Sequence, residues 1–153
     1  MERPADEPSG APHLLFGLGQ FTLALPLEAV KAVERPGRFT AVPFAAPWLR
    51  GVTAVRGTVV SVVDLGAFAG GAPAGYAPGA RLLITHAGGV TAALLVDRVG
   101  QLVPLPPALA AAPKGGGPLE MWWRGVHAVD GEVVAVVDPV RLFAAPAFHG
   151  YQV

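Results

Sequence analysis

The chain has 153 residues with 11 basic against 11 acidic side chains, and it contains no cysteine. That balance, without a basic stripe, excludes phosphate-driven nucleic-acid binding, and the missing thiols exclude disulfides, thiolate nucleophiles and Cys-based zinc sites. Charged residues make up only 14% of the chain and apolar ones 52%, against about 25% charged in an average soluble protein, so part of the surface must be apolar and suited to meeting another protein.

Residues 1–12 begin with a polar, Pro-broken stretch and are expected to be a disordered tail, not a signal peptide. No apolar run of membrane-spanning length is free of Pro or charge, so a cytoplasmic protein without direct membrane insertion is expected. From His13 the pattern becomes apolar, and residues 14–25 read as two strands joined across Gly19-Gln20. Pro26 ends them, and residues 27–33 fit a helical turn or a strand. Residues 39–48, aromatic and Pro-rich, read as an ordered loop. Strands follow over 52–55 and 58–63, then a short helical turn over 65–68 capped by Asp64. Residues 70–79 read as a surface loop. A second hairpin is expected over 81–85 and 90–96 across Ala87-Gly88-Gly89, and a third strand over 99–105 stopped by Pro106-Pro107. Asp138-Pro139 is an N-cap with proline at the first helical position, opening a short helix over 140–143. Residues 145–153 read as a loose tail. Many short strands, few helices and abundant Gly and Pro give a mainly β fold of small barrels.

One stretch is written twice. Residues 48–64 and 122–138 align without a gap and differ only at Leu49/Trp123, Thr53/His127, Arg56/Asp130, Thr58/Glu132 and Ser61/Ala135. Two similar halves follow from such a repeat. Asp130-Gly131 between apolar runs marks a two-residue hairpin turn with positive φ at both positions, so Arg56-Gly57 must make the same turn. Arginine gains nothing from a left-handed conformation that Asp tolerates better. Its guanidinium is either wanted by something outside the fold or simply solvated at a hairpin tip.

Enzymatic chemistry lacks its parts. Ser9 lies in the tail and Ser61 in the middle of a valine strand, so acyl transfer has no nucleophile. His13, His86, His127 and His149 lack metal-ligand spacing. Lys114 with its following glycines lacks the order of a phosphate loop. Asp64, Asp97 and Asp138 each close a valine-rich strand, and capping explains them better than acid–base work or metal binding. No catalytic residue, metal or cofactor is assigned.

Residues 47–65, with the weaker stretches 94–99 and 136–143, resemble the CheW-like domain, the coupling fold of bacterial chemosensory systems. The likeness covers residues 14–143. It implies one domain over 13–144, two packed five-stranded SH3-like barrels sharing a core, with short helical turns and a short C-terminal helix, and no catalysis. It also implies partners: the cytoplasmic hairpin of a methyl-accepting chemoreceptor and the regulatory domain of a CheA-like histidine kinase, met at membrane receptor arrays. By the same resemblance Arg56 is the receptor-contacting arginine, and Val30, Gly51, Val99 and Leu102 fall on the receptor groove. The chain departs from the family pattern at Ala32, Ala54 and Ser61, where Glu, Asn and Pro are usual. These departures leave a second reading, a paralogue scaffold of a twitching or developmental pathway that binds the kinase but no standard chemoreceptor.

Overall fold

The computed structural model describes residues 10–71, 77–112 and 115–149. Residues 1–9 with Ser9, part of the 70–79 loop, Lys114, the His149 side chain and the end of the C-terminal tail lie outside the described residues.

Among the described residues, runs of Val, Leu and Ala bounded by Gly and Pro become ten strands: β1 Ala11–Leu18, β2 Phe21–Pro26, β3 Val30–Glu34, β4 Leu49–Val55, β5 Thr58–Asp64, β6 Arg81–Ala87, β7 Val90–Val96, β8 Arg98–Leu105, β9 Trp123–Val129 and β10 Glu132–Val137. Three short helices accompany them, α1 Leu65–Phe68, α2 Pro139–Phe143 and α3 Pro146–His149. The ambiguous residues 27–33 are both things in turn: Leu27–Ala29 is a single 3-10 turn, and β3 begins at Val30. The first strand starts at Ala11, before the expected His13. Ala87 belongs to β6, leaving Gly88 and Gly89 alone in the turn with φ of +57° and +78°. Proline is tolerated at Pro104 because β8 is an edge strand, where a missing N–H leaves no ladder bond unmade.

The strands form two five-stranded sheets, ordered β8-β1-β2-β10-β9 and β3-β6-β7-β5-β4. Each sheet takes its central hairpin from one half of the chain and three strands from the other. The junctions match: β10 runs parallel to β2, and β5 runs parallel to β7. Each sheet also closes on itself. After leaving β3, the chain returns at Thr40 to the free edge of β4, with Thr40 N–H donating to the Val52 carbonyl at 2.9 Å and Val52 N–H returning the bond at 2.9 Å. After β8 the same happens at Ala110, paired with Val126 of β9 at 3.1 and 2.9 Å. Each bridge covers part of an outer edge, on β4 and on β9, that would otherwise invite pairing with another chain.

Strand alternation explains the valine runs. Val60 and Val62 of β5, with Leu82, Ile84, Ala93 and Leu95, fill one barrel; Leu15, Ala24, Leu105, Val134 and Val136 fill the other. Alternate residues of the same strands, including Phe16, Leu23, Leu25, Val63, Leu83, Leu94 and Val137, point outward into a third cluster between the barrels. A strand buried on both faces reads as continuously apolar.

The expected loose C-terminal tail is corrected over its first part. Residues 146–149 are α3, and Phe148 is only 5% exposed. Its ring lies 5.0 Å from Phe68, 5.2 Å from Phe143 and 5.8 Å from Trp48, while Phe68 lies 5.4 Å from Trp122. The tryptophans that open the two repeats thus meet one aromatic cluster at the junction of the barrels. Burial of the Phe148 ring offsets part of the entropy cost of ordering this last turn.

Candidate protein-interaction site

The hairpin of β4 and β5 carries Arg56 at its tip. Arg56 and Gly57 have φ of +52° and +82°, and Asp130 and Gly131 of the twin hairpin have +50° and +80°. Both turns have positive φ at both central residues, the type I′ geometry that matches strand twist. A non-Gly residue in this region is strained by about 1–2 kcal/mol. Arg56 is exposed, and among the described residues it has no hydrogen-bond or ion-pair partner. Nothing inside the fold compensates its conformation. Asp130 at least meets Gln101, whose Nε2 donates to Oδ2 at 3.4 Å.

The other expected groove residues sit apart from that tip in different ways. Val30 on β3 is half-buried and packs on the cluster between the barrels, as does Val99 on β8. These are edge strands of opposite barrels, so the two valines reach one seam from two sides. Leu102 pairs with Leu14 across β8 and β1, on the sheet face that looks toward the other barrel, and is 55% exposed. Gly51 is buried beneath the returning segment: a Cβ there would stand 2.3 Å from the Thr40 carbonyl oxygen, at a φ of +143°. Gly125 repeats this, with a Cβ position 2.7 Å from the Ala110 oxygen. The glycine of each repeat therefore admits the closing strand.

Arg56 borders two grooves. One is the mouth of its own barrel, lined by Lys31, Ala32, Val60, Ile84 and His86. The other is lined by Glu34, Arg35, Arg38, Ala54, Val55 and Leu82. Arg35 and Arg38 went unremarked in the sequence; their approach to Arg56 follows from β3 and its continuation curling back to β4.

The three aspartates have separate backbone duties. Asp64 accepts from Ala67 N–H at 3.1 Å and pairs with Arg50 at 3.1 Å. Asp138 Oδ1 accepts from Val140 and Arg141 N–H at 3.0 and 3.2 Å. Asp97 accepts from Gly19 N–H, tying β7 and β8 to the first hairpin. Capping is what Asp64 and Asp138 do. No group of three or more His, Cys, Asp or Glu suited to a metal occurs among the described residues, and no helix there is long and apolar enough to cross a membrane.

Two barrels that bury a common seam present a charged hairpin tip at the surface. Residues 12–147 match the CheW-like domain. Protein FrzA of Myxococcus xanthus is 34% identical over 102 residues, an alignment that spans 67% of this chain and 64% of FrzA. The crystal structure of scaffolding protein TtCheW from Thermoanaerobacter tengcongensis has the same fold, with a TM-score of 0.79 over 96% of each chain at 20% identity. The chain belongs to the CheW-like domain family, and it spans somewhat less than two thirds of FrzA's length. The expected pair of five-stranded SH3-like barrels holds.

Proposed function

We propose that the protein is a chemosensory adaptor that couples the cytoplasmic hairpin of a chemoreceptor to the regulatory domain of a CheA-type histidine kinase, working in the cytoplasm and recruited to receptor arrays. Arg56 carries this reading: a strained, exposed, unpartnered guanidinium at a tip whose twin builds the same turn with aspartate. A guanidinium offers planar, paired donors for a carboxylate or for backbone carbonyls of a docked helix. Val30, Val99 and Leu102 supply the apolar part of the contact, and Gly51, buried under the Thr40 segment, shapes the barrel that carries Arg56. Apolar burial supplies most of the affinity, and the arginine fixes register.

The test is titration of wild type and Arg56→Glu against a receptor hairpin and a kinase regulatory domain from the same genome. Charge reversal should weaken receptor binding by at least about tenfold while kinase binding and thermal stability stay unchanged, because a surface substitution shifts stability by only about 0.5 kcal/mol. Equal loss of fold and binding would make Arg56 a structural residue. The departures at Ala32, Ala54 and Ser61 favour a second reading, a paralogue scaffold of a twitching or developmental pathway. Its signature in the same titration is kinase binding alone.

A further inference from the structure

We propose that Arg35 and Arg38 join Arg56 in a basic site on this barrel that receives carboxylates from an acidic helical segment of the partner. The inference rests on the coupling reading above and names the chemistry of the partner's contact face. The three arginines line one groove, walled by Ala54, Val55 and Leu82. All three are exposed, and among the described residues none has a hydrogen-bond or ion-pair partner. Glu34, the carboxylate lining the same groove, makes no ion pair with any of them. Arg81 shares a neighbouring cleft with Arg35 and donates to the carbonyls of Pro78 and Ala80 at 3.1 and 2.7 Å, which holds its side chain without neutralising its charge.

The second barrel is an internal control. Thr40 and Ala110 occupy matching places, each bridged to the strand that follows its own closing glycine. Counting back two residues sets Arg38 against Ala108, and the hairpin tips set Arg56 against Asp130. From Gln101 to Leu109 the chain carries no charge at all. The same backbone is therefore built twice, once with clustered cations and once without, so the fold does not require them. Like charges gathered in one groove repel, and Glu34, the carboxylate lining it, offsets only part of that repulsion. An acidic partner offsets the rest. A helix bearing carboxylates three or four residues apart presents them on one face, and each meets a guanidinium as a pair of charge-assisted hydrogen bonds while apolar walls receive the methylene stems. A net charge of zero over the whole chain gives no long-range pull toward a polyanionic surface, which favours a local acidic segment over a lipid bilayer.

The deciding experiment uses the full chain as wild type and as Arg35→Ala/Arg38→Ala with Arg56 intact. Each is titrated against the receptor hairpin and against an acidic helical peptide with Glu at i and i+4, with its Gln counterpart as control. Measurements are repeated at low salt and at ~0.3 M salt, where the Debye length drops below about 8 Å. Wild type should bind hairpin and Glu peptide, lose at least about fivefold at high salt, and ignore the Gln peptide. The double variant should lose about tenfold or more on both probes at an unchanged melting temperature. Binding indifferent to salt, a double variant that binds the hairpin as wild type does, or preference for phosphatidylserine vesicles over the Glu peptide would each overturn the site. If the Glu peptide binds through Arg35 and Arg38 while the hairpin does not bind at all, the basic site stands and the receptor reading falls.

Discussion

At Gly51 two constraints meet, of which Gly57, six residues on in the same hairpin, shares only one. A Cβ on Gly51 would collide with the Thr40 carbonyl oxygen, whereas Gly57 has open space around it and only a positive φ of +82°. Alanine at Gly57 is therefore expected to lower stability by about 1 kcal/mol, the strain of a left-handed residue. Alanine at Gly51 adds loss of the Thr40–Val52 bridge, with two hydrogen bonds each contributing about 1 kcal/mol, for a total of roughly 2–4 kcal/mol. Urea denaturation of both variants checks the difference; equal losses would mean that the returning segment does not hold the barrel shut. The repeat keeps a glycine at Gly51 and at Gly125, but its structural role was not legible in the sequence, because Thr40 and Ala110 have no motif, and a turn-and-strand pattern does not say which distant segment passes overhead. The opposite holds for Arg56, whose turn chemistry could be read directly because its twin displays the residue such a turn prefers.

The C-terminal helix α3 shows how composition misleads at the level of an element. Ala, Pro and Gly around residues 144–150 have no amphipathic period, so the stretch reads as a loose tail. A single residue reverses that reading. Phe148 enters a cluster with Trp48, Phe68 and Phe143, and aromatic contacts at such spacings contribute beyond their buried area. Phe148→Ala is expected to lower unfolding free energy by roughly 3 kcal/mol and to make Trp48 more accessible to acrylamide quenching. A loss under about 0.5 kcal/mol with unchanged quenching would show that α3 does not stay docked. By contrast, the caps at α1 and α2 were legible, because Asp before a helical start has a local partner in the next few backbone N–H groups.

At the scale of the molecule, the two halves are interleaved rather than adjacent. Sheet β8-β1-β2-β10-β9 needs the first half for β1 and β2 and the second half for the rest, and sheet β3-β6-β7-β5-β4 needs the reverse. Strand faces were readable from alternation, but partner choice was not, since a parallel junction such as β2 with β10 spans more than a hundred residues of chain and leaves no local mark. The interleaving has a consequence for folding. Neither half can close a barrel alone: the first lacks β6 and β7, against which β3 and β5 pair, and the second lacks β1 and β2, against which β8 and β10 pair. A chain divided between residues 71 and 77 is thus expected to give two fragments that are separately unfolded by circular dichroism and that fold together on mixing at equal concentration. The intact protein should unfold in one transition, with tryptophan fluorescence and far-ultraviolet dichroism coincident, because the cluster between the barrels draws residues from both sheets. Either fragment folding by itself would contradict the interleaving. Two separated transitions in the intact chain would instead mean that each barrel is stable without the shared cluster, which would leave the relative placement of Val30 and Val99 free to change on binding.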